Sequence, residues 1–256
     1  TIYYEVTGSG RAIVLGHSLL CDVDMWRGVA PRLAERHRVI NVEVRGHRRS
    51  TAPAPFTLED LASDWFTILD VEKVERAFLV GLSMGGMTAM RLALRAPSRV
   101  AGMVLIDSNG NQEEGIKRLQ YGLLEAIYER FGVIGPVRTR TAQVMFGKTT
   151  LAERRELVDE LVEKIGHHDR TQIKHALRAV FRRGPILDRL DAIEVPTLVL
   201  VGDEDRAAPV DTSRRLAAAI RGARFEVVPR VGHLSALEAP ETIASRVTSF
   251  LLEHRW

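Results

Sequence analysis

Seven short runs of branched apolar residues constrain this chain more than any other feature. They lie at 2–6 (IYYEV), 12–16 (AIVLG), 38–44 (RVINVEV), 76–81 (RAFLVG), 99–108 (RVAGMVLIDS), 196–202 (PTLVLVG) and 223–229 (ARFEVVP). Most of them stop at Gly, Pro or Ser. Continuous apolar runs of this length fit strands covered on both faces of a parallel sheet. Helical periods fill most of the gaps, at 26–36, 57–72, 84–96, 211–220 and 240–254, and Pro97 stops the third of them. Thr57 with Asp60 three residues on resembles a capping box, the shorter Asp standing in for Glu. Strand–helix alternation of this kind predicts an α/β fold, a mostly parallel sheet with helices on both faces.

One stretch breaks the rhythm. From 111 to 192 no strand pattern occurs, and the segment reads as helices at 112–131, 136–146, 150–165 and 169–183. Gly132, Gly135-Pro136, Gly147, Gly166 and Gly184-Pro185 punctuate it. The expected organisation is one α/β core, residues 1–110 and 193–256, carrying a helical cap insertion over 111–192. A chain of 256 residues suits that arrangement.

Charge narrows the function classes. Thirty-six Lys and Arg against 33 Asp and Glu leave a net charge of +3. The two signs alternate, as in ERRELVDELVEK at 153–164, so no basic block suited to nucleic acid forms. No apolar run reaches the 18 or so residues of a membrane span, and no membrane partner is expected. The single cysteine, Cys21, cannot pair within the chain, and a cytoplasmic location is the expectation. The sequence opens on Thr1 rather than Met, which leaves room for a segment ahead of it. A homo-oligomer stays open.

Chemistry enters at Gly81-Leu82-Ser83-Met84-Gly85, a G-x-S-x-G pattern between an apolar strand and a helical period. A sharp strand-to-helix turn lifts the Ser83 hydroxyl out of the sheet edge and brings Gly81 and Gly85 close together. A serine hydroxyl needs a base, and the base needs an orienting group. Of eight histidines, His233 alone follows the last strand in a Gly-containing loop, where it can reach the same edge. His37 precedes a strand, and His167, His168 and His175 fall on the helical insertion. No Cys or compact His/carboxylate cluster accompanies those three, so no metal and no cofactor is expected. The orienting carboxylate is left open among Asp203, Glu204, Asp205 and Asp107 by spacing alone.

Taken in order, these segments resemble the α/β-hydrolase superfamily over nearly the whole chain. GHSLLCDVDMW (16–26) looks like the loop after that family's third strand, RGHRRS (45–50) like its R-G-x-G-x-S segment, and GLSMGG (81–86) like its elbow. GDEDRAAP (202–209) is similar to its acid loop and selects Asp205; GHLSALEAPE (232–241) looks like its histidine loop. The resemblance implies a serine hydrolase with Ser83, His233 and Asp205 as catalytic residues. Its oxyanion donors would be the backbone N–H groups of Leu19 and Met84. Ser18, where Gly is usual, resembles the N-S-L-G loop of 3-oxoadipate enol-lactonases, as does the run at 233–241. Arg48 and Glu43 also depart from the pattern, and Arg48 is expected near the mouth of the site. The substrate pocket is expected at Ser18, Leu20, Trp26 and Leu234, with a small ester or lactone as partner. Arg138, Arg140, Arg178 and Arg182 read as a solvated face, with a substrate carboxylate as the alternative. A C–C bond hydrolase, a perhydrolase and a hydrolase-fold receptor are the rival readings of the same residues, Leu234 standing where many C–C hydrolases carry Trp.

Overall fold

In the computed structural model the described residues are 1–112, 122–123, 126–132 and 135–254. All seven apolar runs form strands: β1 (Tyr4–Thr7), β2 (Ala12–Gly16), β3 (Arg38–Val42), β4 (Ala77–Leu82), β5 (Val100–Ile106), β6 (Thr197–Gly202) and β7 (Arg224–Val228). They make one sheet in the order β1-β3-β2-β4-β5-β6-β7. Only β1 runs antiparallel, against β3, and the other neighbours are parallel. The fold is that of an α/β hydrolase.

Alternate residues of the buried strands feed two separate cores. Ile13, Leu15, Phe78, Val80 and Val104 pack on one face with Val247, Phe250 and Leu251. Val14, Leu79, Met103 and Leu105 pack on the other with Trp65, Leu69 and Met90. This period-two partition is why the runs read as apolar throughout.

The helices are α1 (Ala30–Ala34), α2 (Leu58–Val71), α3 (Met84–Arg95), α4 (Gly135–Met145), α5 (Lys148–Glu153), α6 (Arg155–Gly166), α7 (Arg170–Phe181), α8 (Val210–Ala219), α9 (Ser235–Glu238) and α10 (Pro240–Glu253). Thr57 and Asp60 form the reciprocal capping box at the start of α2. Two expected helices differ. The 26–36 period is a 3₁₀ turn at Val23–Trp26 followed by the short α1, because the Asp22 side chain caps the earlier turn and Pro31 sits at the start of α1. The 150–165 period breaks at Arg154, whose guanidinium donates instead to the carbonyls of Glu238 at 2.7 Å and Leu237 at 3.4 Å. The expected helix over 112–131 falls largely outside the described residues, though 126–131 are helical.

Between β2 and β4 the chain order along the sheet reverses. Loops leaving the carboxyl ends of these two strands diverge there and open a crevice, the usual ligand position in open α/β sheets. Helices α4 and α7, between β5 and β6 in the chain, supply residues to the same crevice. Among the described residues no helix is long and apolar enough to cross a membrane.

Candidate active site

Ser83 stands between β4 and α3 with φ +53° and ψ −110°, a backbone state disfavoured for any residue with a Cβ. The surroundings over-determine it. Its N–H donates to Ile106 O at 2.8 Å, and its carbonyl accepts from Ser108 Oγ at 2.9 Å. The turn also demands bare glycines. A Cβ on Gly81 would lie 2.3 Å from the Gly85 carbonyl carbon, and one on Gly85 would lie 2.1 Å from Gly16 O.

Three loops at this edge bring the side chains together. His233 Nε2 lies 2.9 Å from Ser83 Oγ, and His233 Nδ1 lies 2.9 Å from Asp205 Oδ2. All three residues are buried. The Asp205 carboxylate accepts further bonds from Ala207 N–H at 2.7 Å and Ala208 N–H at 3.0 Å, so it faces the imidazole as an anchored acceptor. Nδ1 must carry the proton toward a carboxylate, leaving the Nε2 lone pair toward the hydroxyl. Burial pushes His233 down, but the charge and hydrogen bond of Asp205 outweigh it, and the net direction is up.

The carboxylates that spacing left open have separate tasks. Asp203 Oδ1 accepts from Arg230 N–H and Val231 N–H, holding the turn after β7. Glu204 accepts from the N–H and hydroxyl of Thr149. Asp107, at the end of β5, is fully buried and accepts from Gly202 N–H at 2.9 Å. Burial, and then the nearby Asp205 charge, push its carboxyl well above the usual range.

The amides of Leu19 and Met84 flank this cluster in the chain. Among the described residues neither donates a hydrogen bond. Met84 opens α3, where an N–H has no partner within the helix. The peptide before Leu19 is trans, and its Ser18 carbonyl is held by Cys21 N–H at 3.1 Å and His17 Nδ1 at 2.8 Å. The Leu19 N–H therefore points to the opposite side of that peptide.

A cavity of about 150 Å³ reaches Ser83 and His233. Ser18 and Leu20 line it, and the buried Ser18 Oγ has no hydrogen-bond partner among the described residues. Trp26 and Leu234 do not line it. Both are fully buried in the core against Met25, Val29 and Leu237. The Leu234 N–H is tied to Met145 O, and the backbone turn that presents His233 sends the next side chain inward. Arg48 does not line the cavity either; it pairs with Asp22 at 2.9 Å. Of the four arginines singled out, Arg140 lines the cavity, whereas Arg138 pairs with Asp159 and Arg178 with Glu129. Met87, Tyr128, Phe181 and Arg183 were not legible as lining residues. Their period marked only helix faces, and the partner of each face is a tertiary matter.

Sequence reasoning also passed over Glu238. One carboxylate oxygen accepts from Gly147 N–H, Thr150 Oγ and Gly232 N–H, at 3.0, 2.6 and 3.1 Å; the other accepts from Leu234 N–H at 3.1 Å. It thus ties the α4–α5 turn to the loop of His233. A charged residue inside the apolar SALEAP run was the available signal. Glu238→Leu takes this acceptor from Gly147 N–H, Gly232 N–H and the Thr150 hydroxyl, while Leu234 N–H keeps Met145 O, and is expected to cost roughly 3 kcal/mol or more of stability. Urea unfolding checks this, and a loss under about 1 kcal/mol would show that the tie is energetically idle.

The sheet order, the strained turn and the histidine–carboxylate pair recur together in one known class. Residues 11–240 match the family described as alpha/beta hydrolase fold, and the chain belongs to that family. It is 30% identical to a Variovorax paradoxus protein provisionally named a carbamate hydrolase, RutD, over 98% of this chain and 96% of the relative. It is 26% identical to 3-oxoadipate enol-lactonase 1 of Acinetobacter baylyi, over 98% of this chain and 93% of the relative. Among solved structures, a thermophilic esterase from Thermogutta terrifontis superposes with a TM-score of 0.92 at 26% identity, covering 99% of this chain and 94% of the esterase.

Proposed function

We propose that the protein is a serine hydrolase of carboxylic esters or lactones that works through an acyl-enzyme on Ser83. The observation that carries this is the continuous hydrogen-bonded line from Ser83 through His233 to Asp205 at the floor of an apolar cavity. His233 Nε2 takes the Ser83 proton as Oγ attacks the carbonyl carbon. Asp205 holds the imidazole in the correct tautomer and stabilises its charged form. The N–H groups of Leu19 and Met84 receive the developing oxyanion, each contributing roughly 3–4 kcal/mol to lowering the barrier. His233 then protonates the leaving alkoxide, and the same histidine activates water to release the acyl group.

Residues 111–192 act as the cap in this reading. Their helices contribute Val144, Leu177, Val180 and Phe181 to the cavity wall, which exclude water and favour an apolar acyl or alkyl group. The enol-lactonase and esterase relatives both cleave an acyl–oxygen bond, in keeping with the same chemistry here. A buried, unpaired thiol at Cys21 and interspersed charge suit a cytoplasmic small-molecule enzyme.

The test is steady-state turnover of p-nitrophenyl butyrate, followed by a panel of simple lactones that includes the 3-oxoadipate enol-lactone. Many turnovers per chain on an ester or a lactone are expected. One acylation per chain that then stalls would overturn the hydrolase reading.

A further inference from the structure

Three histidines that this mechanism leaves unused surround the loop carrying Leu19. His17 and His47 stack edge to face with centroids 5.0 Å apart, and His47 meets His168 in the same way at 5.4 Å. All three are buried. They come from three places: His17 from the end of β2, His47 from the loop after β3, and His168 from the turn between α6 and α7.

Their hydrogen bonds fix every tautomer. His17 Nε2 accepts from Val44 N–H at 2.9 Å, so its Nδ1–H donates to Ser18 O. His47 Nε2 accepts from Leu20 N–H at 3.1 Å, so its proton is on Nδ1, beside the carbonyls of Val44 and Arg45. His168 Nε2 faces Leu20 O at 3.0 Å and can only donate to it. Both backbone groups of Leu20 are therefore gripped by imidazoles. Leu20 needs that grip, since its φ is +66°, the left-handed region that branched side chains avoid.

Resting on the serine-hydrolase reading above, we infer that His168 is a positioning residue that acts with His47 to hold the Leu20 peptide groups and thereby aim the Leu19 N–H at the oxyanion. The helical insertion thus does more than wall the cavity. Its α6–α7 turn closes the last hydrogen bond on the loop that supplies an oxyanion donor, so seating of the insertion and preorganisation of the donor are one event. Burial pushes His17 down to about 4, pushes His47 well below the ordinary range and lowers His168, in keeping with three neutral rings at pH 7.

The discriminating variants are His168→Leu, His168→Asn and His168→Gln. Gln reaches with an N–H to the place of Nε2, whereas Asn is too short and Leu has no donor. With p-nitrophenyl butyrate, Leu and Asn are expected to lower kcat by roughly 10- to 100-fold with KM within about twofold of wild type, because only the transition-state interaction is misaligned. Gln is expected to recover most of that loss. Inhibition by butylboronic acid, whose tetrahedral adduct carries an anionic oxygen, should weaken in the same order. Asn keeps a polar side chain, so the comparison with Gln survives if Leu fails to fold. His47→Gln against His47→Leu should repeat the ranking, since Gln also offers an acceptor to Leu20 N–H. Wild-type kcat in a folded His168→Asn variant would overturn the inference, as would a change in KM alone or equal loss in Asn and Gln. Failure of the underlying reading shows differently, as full activity in Ser83→Ala.

Discussion

Ser83→Ala is expected to lower kcat for p-nitrophenyl butyrate by a factor on the order of 10⁴ to 10⁶. The reason is local. Among the described residues the hydroxyl is the group that meets His233 Nε2, at 2.9 Å, and its loss leaves the base only water to deprotonate. Residual rate should persist above the uncatalysed reaction, because the cavity and the free N–H groups near Leu19 and Met84 are untouched. Folding should be preserved, since the bonds that hold the turn run from the Ser83 backbone to Ile106 and Ser108. Initial rates with parallel thermal unfolding check both halves. A folded variant with unchanged turnover would remove Ser83 from the reaction.

The second large effect belongs to Asp205→Asn. Asparagine fits the space, but it no longer fixes the proton on His233 Nδ1, and kcat is expected to fall by about 10⁴-fold. The pH profile should move as well. His233 must be neutral to accept a proton, so kcat/KM of the wild-type protein falls as pH drops through the raised value of that imidazole. Removing the Asp205 charge takes away the attraction that overcomes burial, so the acid limb of the variant should lie at lower pH. A loss below tenfold with an unmoved acid limb would assign the orienting task elsewhere, with Asp107, a buried carboxyl whose charge acts on His233, as the first alternative.

What the sequence made legible follows the range of the interactions involved. Strands buried on both faces leave continuous apolar runs, and β2 to β6 were visible for that reason, whereas the more exposed edge strands β1 and β7 showed through their β-branched and aromatic residues. The elbow was visible because a sharp turn, two close backbone approaches and a helix start all fall within five residues. Choosing Asp205 from its loop neighbours was different. Asp203, Glu204 and Asp205 differ in which distant group each one meets: Arg230, Thr149 or His233. Only the resemblance, not the local chemistry, separated them. Arg154 breaks a good helical period to reach carbonyls more than eighty positions away, which no local pattern records. Trp26 and Leu234 were expected in the pocket because they adjoin its loops, yet neighbours in a loop point to opposite sides, and both feed the core.

The cluster of His17, His47 and His168 illustrates the same limit. In the sequence these are three scattered histidines, two of them inside recognisable segments and one on the insertion. Their common purpose becomes readable only when Leu20, with its left-handed backbone, is seen to have both its N–H and its carbonyl held by imidazoles.

Reaction with a fluorophosphonate, which phosphonylates an activated serine with loss of fluoride, tests the central claim most directly. Peptide mass spectrometry of the labelled protein should find one adduct per chain, on the peptide containing Ser83, and none in His233→Ala. An adduct on another residue, or a wild-type protein that turns over esters yet takes no label at Ser83, would contradict the account.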